Sequence, residues 1–187
     1  DSSTAADVGI MSAILGLIFQ SFSGNLRNII LNKKSYLHFS TVLNFKVVLI
    51  IPITVFTILF YYITDLHTPL LGDIAFLIFI RKIIDWFDEV VLSQEEMNKN
   101  YYSSTLYILI QIISILGFIL ISSFYDLIIA LIFWSLFPIL YSLKNLKSFF
   151  NIEAFHHNDF NHLFPYIGST IIINLGVYVF RIMLVNY

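Results

Sequence analysis

The chain has 187 residues, of which 58% are hydrophobic, 17% aromatic and only 12% charged, with a mean hydropathy of +0.85. So few polar side chains cannot cover a water-soluble globule of this length, so the composition predicts a membrane protein and gives no sign of a nucleic-acid partner. The net charge of −2 decides little, because the placement of Lys and Arg matters more than their sum, and the absence of cysteine excludes disulfides and thiolate metal sites.

The chain begins at Asp1 with neither Met nor a basic stretch before its first apolar run, which does not suit an intact secretory signal peptide, and it ends in or just after another such run. Both ends are expected of a segment of a longer polypeptide. A transmembrane helix needs about 20 mostly apolar residues to cross a core about 30 Å thick. Stretches 8–30, 42–63, 74–94, 103–122, 125–143 and 164–186 meet that requirement. Runs of this length without two-residue alternation do not suit a transmembrane barrel, so the predicted fold is all-α, a polytopic bundle of about six spans.

In the first span Gly9, Ala13, Gly16, Gln20, Ser23 and Arg27 recur in steps of three or four and share one stripe, small at its start and polar at its end. The small residues and serines read as helix-packing positions. Gln20 and Arg27 read as lining a polar interior, although Arg27, near the span's end, can also snorkel to the interface. A basic connector follows at 32–41. The second span places Thr54, Thr57 and Tyr61 near Pro52 and leads into an acidic connector at 64–73.

The third span runs from "GDIAFLI" into "FIRKIIDWFDEVVLSQEE". At 100° per residue, Arg81, Asp85, Asp88 and Glu89 fall within one arc with Lys82 at its edge, while Ile80, Ile83, Ile84, Phe87 and Val91 take the other side. Arg81 and Asp85 form an i, i+4 pair, and the crowding of Asp85, Asp88 and Glu89 is an arrangement in which a carboxyl can carry a proton. One reading is a hydrated cavity facing these charges; the other is an early exit of the helix into the cytosol. With the helix entering near residue 74, Arg81 lies only about 10 Å and Asp88 about 21 Å in, which favours the cavity.

The fourth span carries the stripe Ser104, Tyr107, Gln111 and Ser114. After a minimal turn at 123–124, the fifth span is interrupted by Pro138, which like Pro52 is either a hinge or a static kink with its freed carbonyl satisfied by a neighbour. The polar stretch 144–163 contains Glu153, His156, His157, Asp159 and His162, whose spacing matches no specific metal-ligand pattern. Phe149, Ile152, Phe155 or His156, Phe160 and Leu163 recur every three to four or so residues and instead suggest a connector along the inner membrane surface. Pro165 fits a helix start. The sixth span carries Thr170, Asn174, Tyr178 and Arg181, the last about 25 Å along its helix and also able to snorkel.

Alternating spans put Lys33, Lys34, Lys99, Lys144 and Lys147 in the first, third and fifth connectors, while the second and fourth hold no Lys or Arg. The positive-inside rule then places the first span running from outside to inside and the last ending outside.

The stretches "GIMSAILGLIFQSFSGNLRNIILNKKS", "FIRKIIDWFDEVVLSQEEMNKNYYSSTLYILIQ" and "FPYIGSTIIINLGVYVFRIMLVNY" resemble the polysaccharide (O-antigen type) flippases of the multidrug/oligosaccharidyl-lipid/polysaccharide exporter superfamily. The resemblance covers nearly the whole chain and rests on diffuse features: a Gly-Asn-Leu-Arg helix end, a charged third span and a Tyr-x-x-Arg last span. It implies a piece of a larger two-lobe transporter, with 1–143 as five helices of the first lobe, 144–163 as a cytoplasmic interfacial linker and 164–187 as the first helix of the second lobe.

The implied activity is translocation of an undecaprenyl-diphosphate-linked oligosaccharide across the bacterial plasma (inner) membrane by alternating access, without covalent catalysis. No cofactor is implied beyond a coupling ion, H+ or Na+, and the implied partners are membrane lipid and polysaccharide-assembly proteins. Arg27, Arg81 and Arg181 would stand where such flippases place cavity cations. Gln20, Gln111, Asn174 and Tyr178 would join them in the substrate cavity, and Asp85, Asp88 and Glu89 would pair with these cations or exchange the ion. Two other classes remain as alternatives: a membrane-embedded prenyl-diphosphate transferase using "DWFDE" as a metal-binding carboxylate pair, and a membrane scaffold that transports nothing.

Overall fold

The computed structural model describes residues 2–23, 26–31, 39–63, 69–142 and 157–185. Among them every regular element is a helix: α1 (Ser2–Ser21), α2 (Leu26–Leu31), α3 (Phe39–Ile63), α4 (Pro69–Met97), α5 (Tyr101–Phe124), α6 (Leu127–Leu136) and α7 (His157–Val185). The all-α expectation holds. Two helices, over Thr41–Leu59 and Tyr101–Phe124, are long and apolar enough to cross a membrane. At 29 residues, α4 reaches about 43 Å.

Several boundaries differ from the spans read in the sequence: α4 begins at Pro69 and not near residue 74, and α6 stops at Leu136. The first span is two helices, because "SFSGN" supplies poor helix formers and the chain turns after Ser21. The Ser23 N–H and hydroxyl both donate to the Gln20 carbonyl, at 3.2 and 2.8 Å, and the Leu26 N–H to that of Ser23 at 3.1 Å. The last helix begins at His157, so Pro165 sits inside it rather than at its start. Residues 157–163 of the expected linker are therefore helical and continuous with the last span; the rest of that linker lies outside the described residues.

Packing converges on α4, which is contacted by α1, α2 and α3 and also by α5 and α6, while α7 packs on α1 and α3. The core includes Leu15 and Phe19 of α1, Val42, Phe45 and Ile53 of α3, Ile74, Ile78, Trp86 and Val90 of α4, Leu131 of α6 and Leu163 and Ile167 of α7. Neighbouring helices alternate in direction. Tyr61 approaches Gly72 and Lys46 reaches Glu89, which makes α3 antiparallel to α4. Tyr107 meets Asp85 and Gln111 meets Arg81, which sets α5 antiparallel to α4. Ser103 meets Tyr141 and Ser114 meets Trp134, so the chain reverses once more.

The α4–α5 turn is closed by a Schellman arrangement in which the Asn100 N–H donates to the Glu95 carbonyl at 2.9 Å and the Lys99 N–H to that of Glu96 at 3.0 Å. Lys99 takes the left-handed conformation this requires, with φ of 60°. On the other side of α5, a Cβ on Gly117 would overlap the Phe133 ring, and this lets α5 and α6 approach closely. Asp126 caps α6 by accepting from the Ile128 N–H at 3.3 Å.

The distribution of side chains is inverted relative to a water-soluble bundle. On α5, Ile108, Leu109, Ile112, Ile113, Leu116, Ile119 and Leu120 are exposed while Ser103 and Ser114 are buried. On α3, Ile51, Val55, Phe56, Ile58 and Leu59 are exposed while Asn44 and Lys46 are buried.

Candidate functional site

Pro138 organises the centre of the bundle. A helix carrying on through residue 138 would bond its N–H to the Trp134 carbonyl, and proline has none to offer. The freed carbonyl accepts from Arg81 Nη1 at 2.7 Å and from the Ser114 hydroxyl at 3.1 Å. The carbonyl that Pro138 frees is thus satisfied by neighbours, and helical geometry resumes at 139–142.

Arg81 is 2% exposed and reaches out from α4 in a fork. Its Nε donates to Asp85 Oδ2 at 3.1 Å, Nη1 also donates to Ser114 Oγ at 3.3 Å, Nη2 donates to Gln111 Oε1, and the Trp134 ring lies 4.9 Å from the guanidinium carbon. Asp85 Oδ1 in turn accepts from the Tyr107 hydroxyl at 3.1 Å and from Gln111 Nε2 at 3.3 Å. The α5 stripe anticipated in the sequence therefore faces α4, and Tyr107, Gln111 and Ser114 converge on the Arg81–Asp85 pair. Arg81 points inward as expected, and all three of its side-chain nitrogens donate to protein groups. α4 does not leave the bundle early, since Asp88 and Val90 beyond it are fully buried.

The three acids expected to crowd together instead face separate partners. Asp85 faces Arg81, Tyr107 and Gln111. Asp88 accepts from the Ser142 hydroxyl at 2.7 Å, and Glu89 Oε2 accepts from Lys46 Nζ at 3.2 Å. Among the described residues no group of three or more His, Asp or Glu is placed to hold a metal ion.

Lys46 is the member of the site that reading the spans missed. It is the only charged residue of α3, its side chain is 0% exposed, and its ammonium also donates to the Trp86 carbonyl and lies 4.7 Å from the centre of the Trp86 ring. A signal was present: a lone Lys four residues into the apolar stretch 42–63 is as anomalous as Arg81. α4 is thus held by two buried cations, its own Arg81 turned toward α5 and α6, and Lys46 reaching in from α3.

The remaining candidates are not gathered here. Arg27 pairs with Glu96 at 3.0 Å, with its side chain 54% exposed, and Glu96 lies about 22 Å along α4 from Arg81. This is a surface ion pair, and Arg27 is not brought to the centre. Gln20 is exposed, and no atom would lie within 4 Å of a Cβ on Gly9 or Gly16, so the small and polar stripe of α1 faces outward instead of packing in the described bundle. Asn174 is half-buried, with its Nδ2 unbonded among the described residues. The side chains of Tyr178 and Arg181, and those of Glu153, His156, His157, Asp159 and His162, lie outside the described residues. Thr54 and Thr57 bond back to the carbonyls of Ile50 and Ile53 at 2.7 and 2.8 Å and, with Tyr61, Gly72, Phe76 and Phe79, line a cleft of about 410 Å³ between α3 and α4.

Compared with known proteins, the chain matches no family model, no curated protein and no solved structure.

Proposed function

We propose that this chain is a multi-pass helical bundle of the bacterial inner membrane, part of a two-lobe transporter that moves a lipid-linked oligosaccharide carrying a diphosphate between leaflets. The inverted distribution of side chains supports the membrane setting. Apolar residues turned outward suit hydrocarbon, which penalises unsatisfied polar groups, while Arg81, Lys46 and Ser114 are turned inward and paired. The observation that carries the transport reading is the convergence of two buried cations on α4, its own Arg81 and Lys46 reaching in from α3. Each is neutralised by a carboxylate, Asp85 or Glu89, that is itself about one third exposed, at 34% and 36%.

That arrangement suits a carrier of anions. A diphosphate offers a guanidinium the same bidentate acceptor geometry as a carboxylate and more charge, so it can compete for Arg81 while Asp85 passes to Tyr107 and Gln111 or takes up H+ or Na+. No covalent step is needed. Direction follows from different affinities for the substrate in inward- and outward-open arrangements.

The test is reconstitution of the full-length protein into vesicles containing a fluorescent polyprenyl-diphosphate-linked oligosaccharide, with a membrane-impermeant quencher reading the fraction in the outer leaflet. Transport predicts flipping well above protein-free vesicles and a loss of at least about tenfold, about 1.4 kcal/mol in barrier, in Arg81→Met. Flipping no faster than in protein-free vesicles overturns it. A second reading, a scaffold that transports nothing, is favoured by the closed packing around Arg81; it predicts folded protein, no flipping, and a change in thermal stability as the only effect of Arg81→Met.

A further inference from the structure

We propose that Lys46 and Glu89 form a proton-operated latch between α3 and α4. Of the two buried ion pairs, only this one has two members that can change charge. The Arg81 guanidinium keeps its charge at any working pH, whereas a lysine ammonium can lose a proton and a glutamate can gain one. The route is asymmetric: Lys46 is sealed, while the Glu89 side chain is 36% exposed, so a proton can reach the pair only from the Glu89 side. A proton arriving on Glu89 removes the partner of a fully buried ammonium, which is costly to keep buried alone. The ammonium then leaves the Trp86 ring and the α3–α4 seam loses its described ion pair.

The seam is built to separate. Along α3, Lys46 comes first, then Pro52, whose missing N–H weakens the helix, and then Thr54 to Tyr62. These last residues line the 410 Å³ cleft that already parts α3 from α4 at the other end. The seam is thus tied at Lys46–Glu89, and beyond the proline it holds the cleft, with Tyr61 meeting Gly72 across it. Other charged groups do not substitute for the pair. α3 has no second charge, and residues 8–21 of α1 and all of α5 and α6 have no Lys, Arg, Asp or Glu. On α4, Asp85 and Asp88 are engaged by Arg81 and Ser142, Glu95 by Asn100 and Glu96 by Arg27 of α2. Asp73 is exposed at the far end, and half-buried Lys82 stands about 10 Å along the helix from Glu89. The charged side chains of α7 lie outside the described residues.

The latch rests on the geometry of α3 and α4 and not on the transport reading, so its test reads conformation rather than flipping. The chain has only two tryptophans, each beside one of the two cations: Trp86 by Lys46 and Trp134 by Arg81. With fluorotryptophan incorporated into the full chain in lipid nanodiscs, the Trp86 fluorine resonance should move on acidification from neutral toward about pH 4, the range in which carboxylates protonate. The ratio of released to latched populations should change by up to about tenfold per pH unit, while the Trp134 resonance stays in place. Glu89→Gln should hold Trp86 at the acid position at neutral pH. Spin labels at Leu59→Cys and Leu120→Cys, on a chain without native cysteine, should show the α3–α5 distance changing over the same titration. A Trp86 resonance that is independent of pH in the unsubstituted protein overturns the latch, as does a shift that survives in Glu89→Gln or one that Trp134 shares.

Discussion

The Trp134 carbonyl accepts the Arg81 guanidinium at 2.7 Å, at the place where a continuing helix would have bonded it to the N–H of residue 138. A proline in α6's extension and an arginine in α4 therefore complete each other across two helices: one leaves an acceptor unsatisfied inside the bundle, and the other satisfies it. An energetic coupling between residues 81 and 138 follows.

Pro138→Ala gives residue 138 an N–H that competes with Arg81 for the Trp134 carbonyl. In an Arg81→Met background that competitor is gone. Pro138→Ala should therefore be more favourable by about 1 kcal/mol in Arg81→Met than in the unsubstituted protein. Unfolding of the four proteins in detergent measures the cycle, and additive effects would show that the two residues do not share the carbonyl.

Arg81→Lys tests the fork. The guanidinium reaches Asp85, Gln111, Ser114 and Trp134 with fixed geometry, whereas an ammonium at the end of a flexible stem cannot meet all four. The expected loss is about 2–3 kcal/mol despite the retained charge, read as a fall in the unfolding midpoint.

The Lys46–Glu89 pair should respond unequally to removal of its two partners. Glu89→Ala leaves an ammonium with no exposure and should cost about 3–5 kcal/mol. Lys46→Met leaves a carboxylate that is already 36% exposed and should cost about 1 kcal/mol. The double substitution should be closer to Lys46→Met than to Glu89→Ala. Equal losses from the two single changes would contradict the difference in burial.

Gly117→Ala should destabilise by about 1–3 kcal/mol, since its Cβ would overlap Phe133, whose ring is stacked on Phe137 with centroids 5.0 Å apart. Phe133→Leu should recover part of that loss if the clash is its cause, and thermal unfolding of the single and double variants reads it.

Lys99→Gly should stabilise the α4–α5 turn by up to about 1 kcal/mol, because φ of 60° is strained for lysine and free for glycine. Thermal midpoints compare the two proteins directly. A drop would mean that the Lys99 side chain contributes more than its backbone costs.

Much of the site was legible from the periodicity of polar residues. Placing Tyr107, Gln111 and Ser114 on one stripe of α5, and Arg81 with Asp85 on one arc of α4, anticipated which side chains would face each other, because an apolar surround leaves polar groups only one another as partners. Lys46 escaped because a single Lys near the start of a span reads like a residue close to the interface. Its burial depends on where Trp86 and Glu89 of α4 meet it. The three acids of α4 read as a crowd because spacing along one helix reports angle and says nothing of which neighbour stands at each angle; Lys46, Arg81 with Tyr107 and Gln111, and Ser142 separate them. The outward face of α1 was likewise undetermined, since a stripe of Gly, Ala and Gln is compatible with packing and with exposure alike.

The sequence by itself determined the helical class and, nearly, the helix ends, because hydrophobic run length, turn residues and proline act locally along one chain. Tertiary structure alone decided that Arg81 is enclosed by protein, that Pro138 serves as its acceptor's source and that Lys46 belongs with Glu89. Those facts depend on distances between residues 30 to 53 positions apart, and only the packing of whole helices sets such distances.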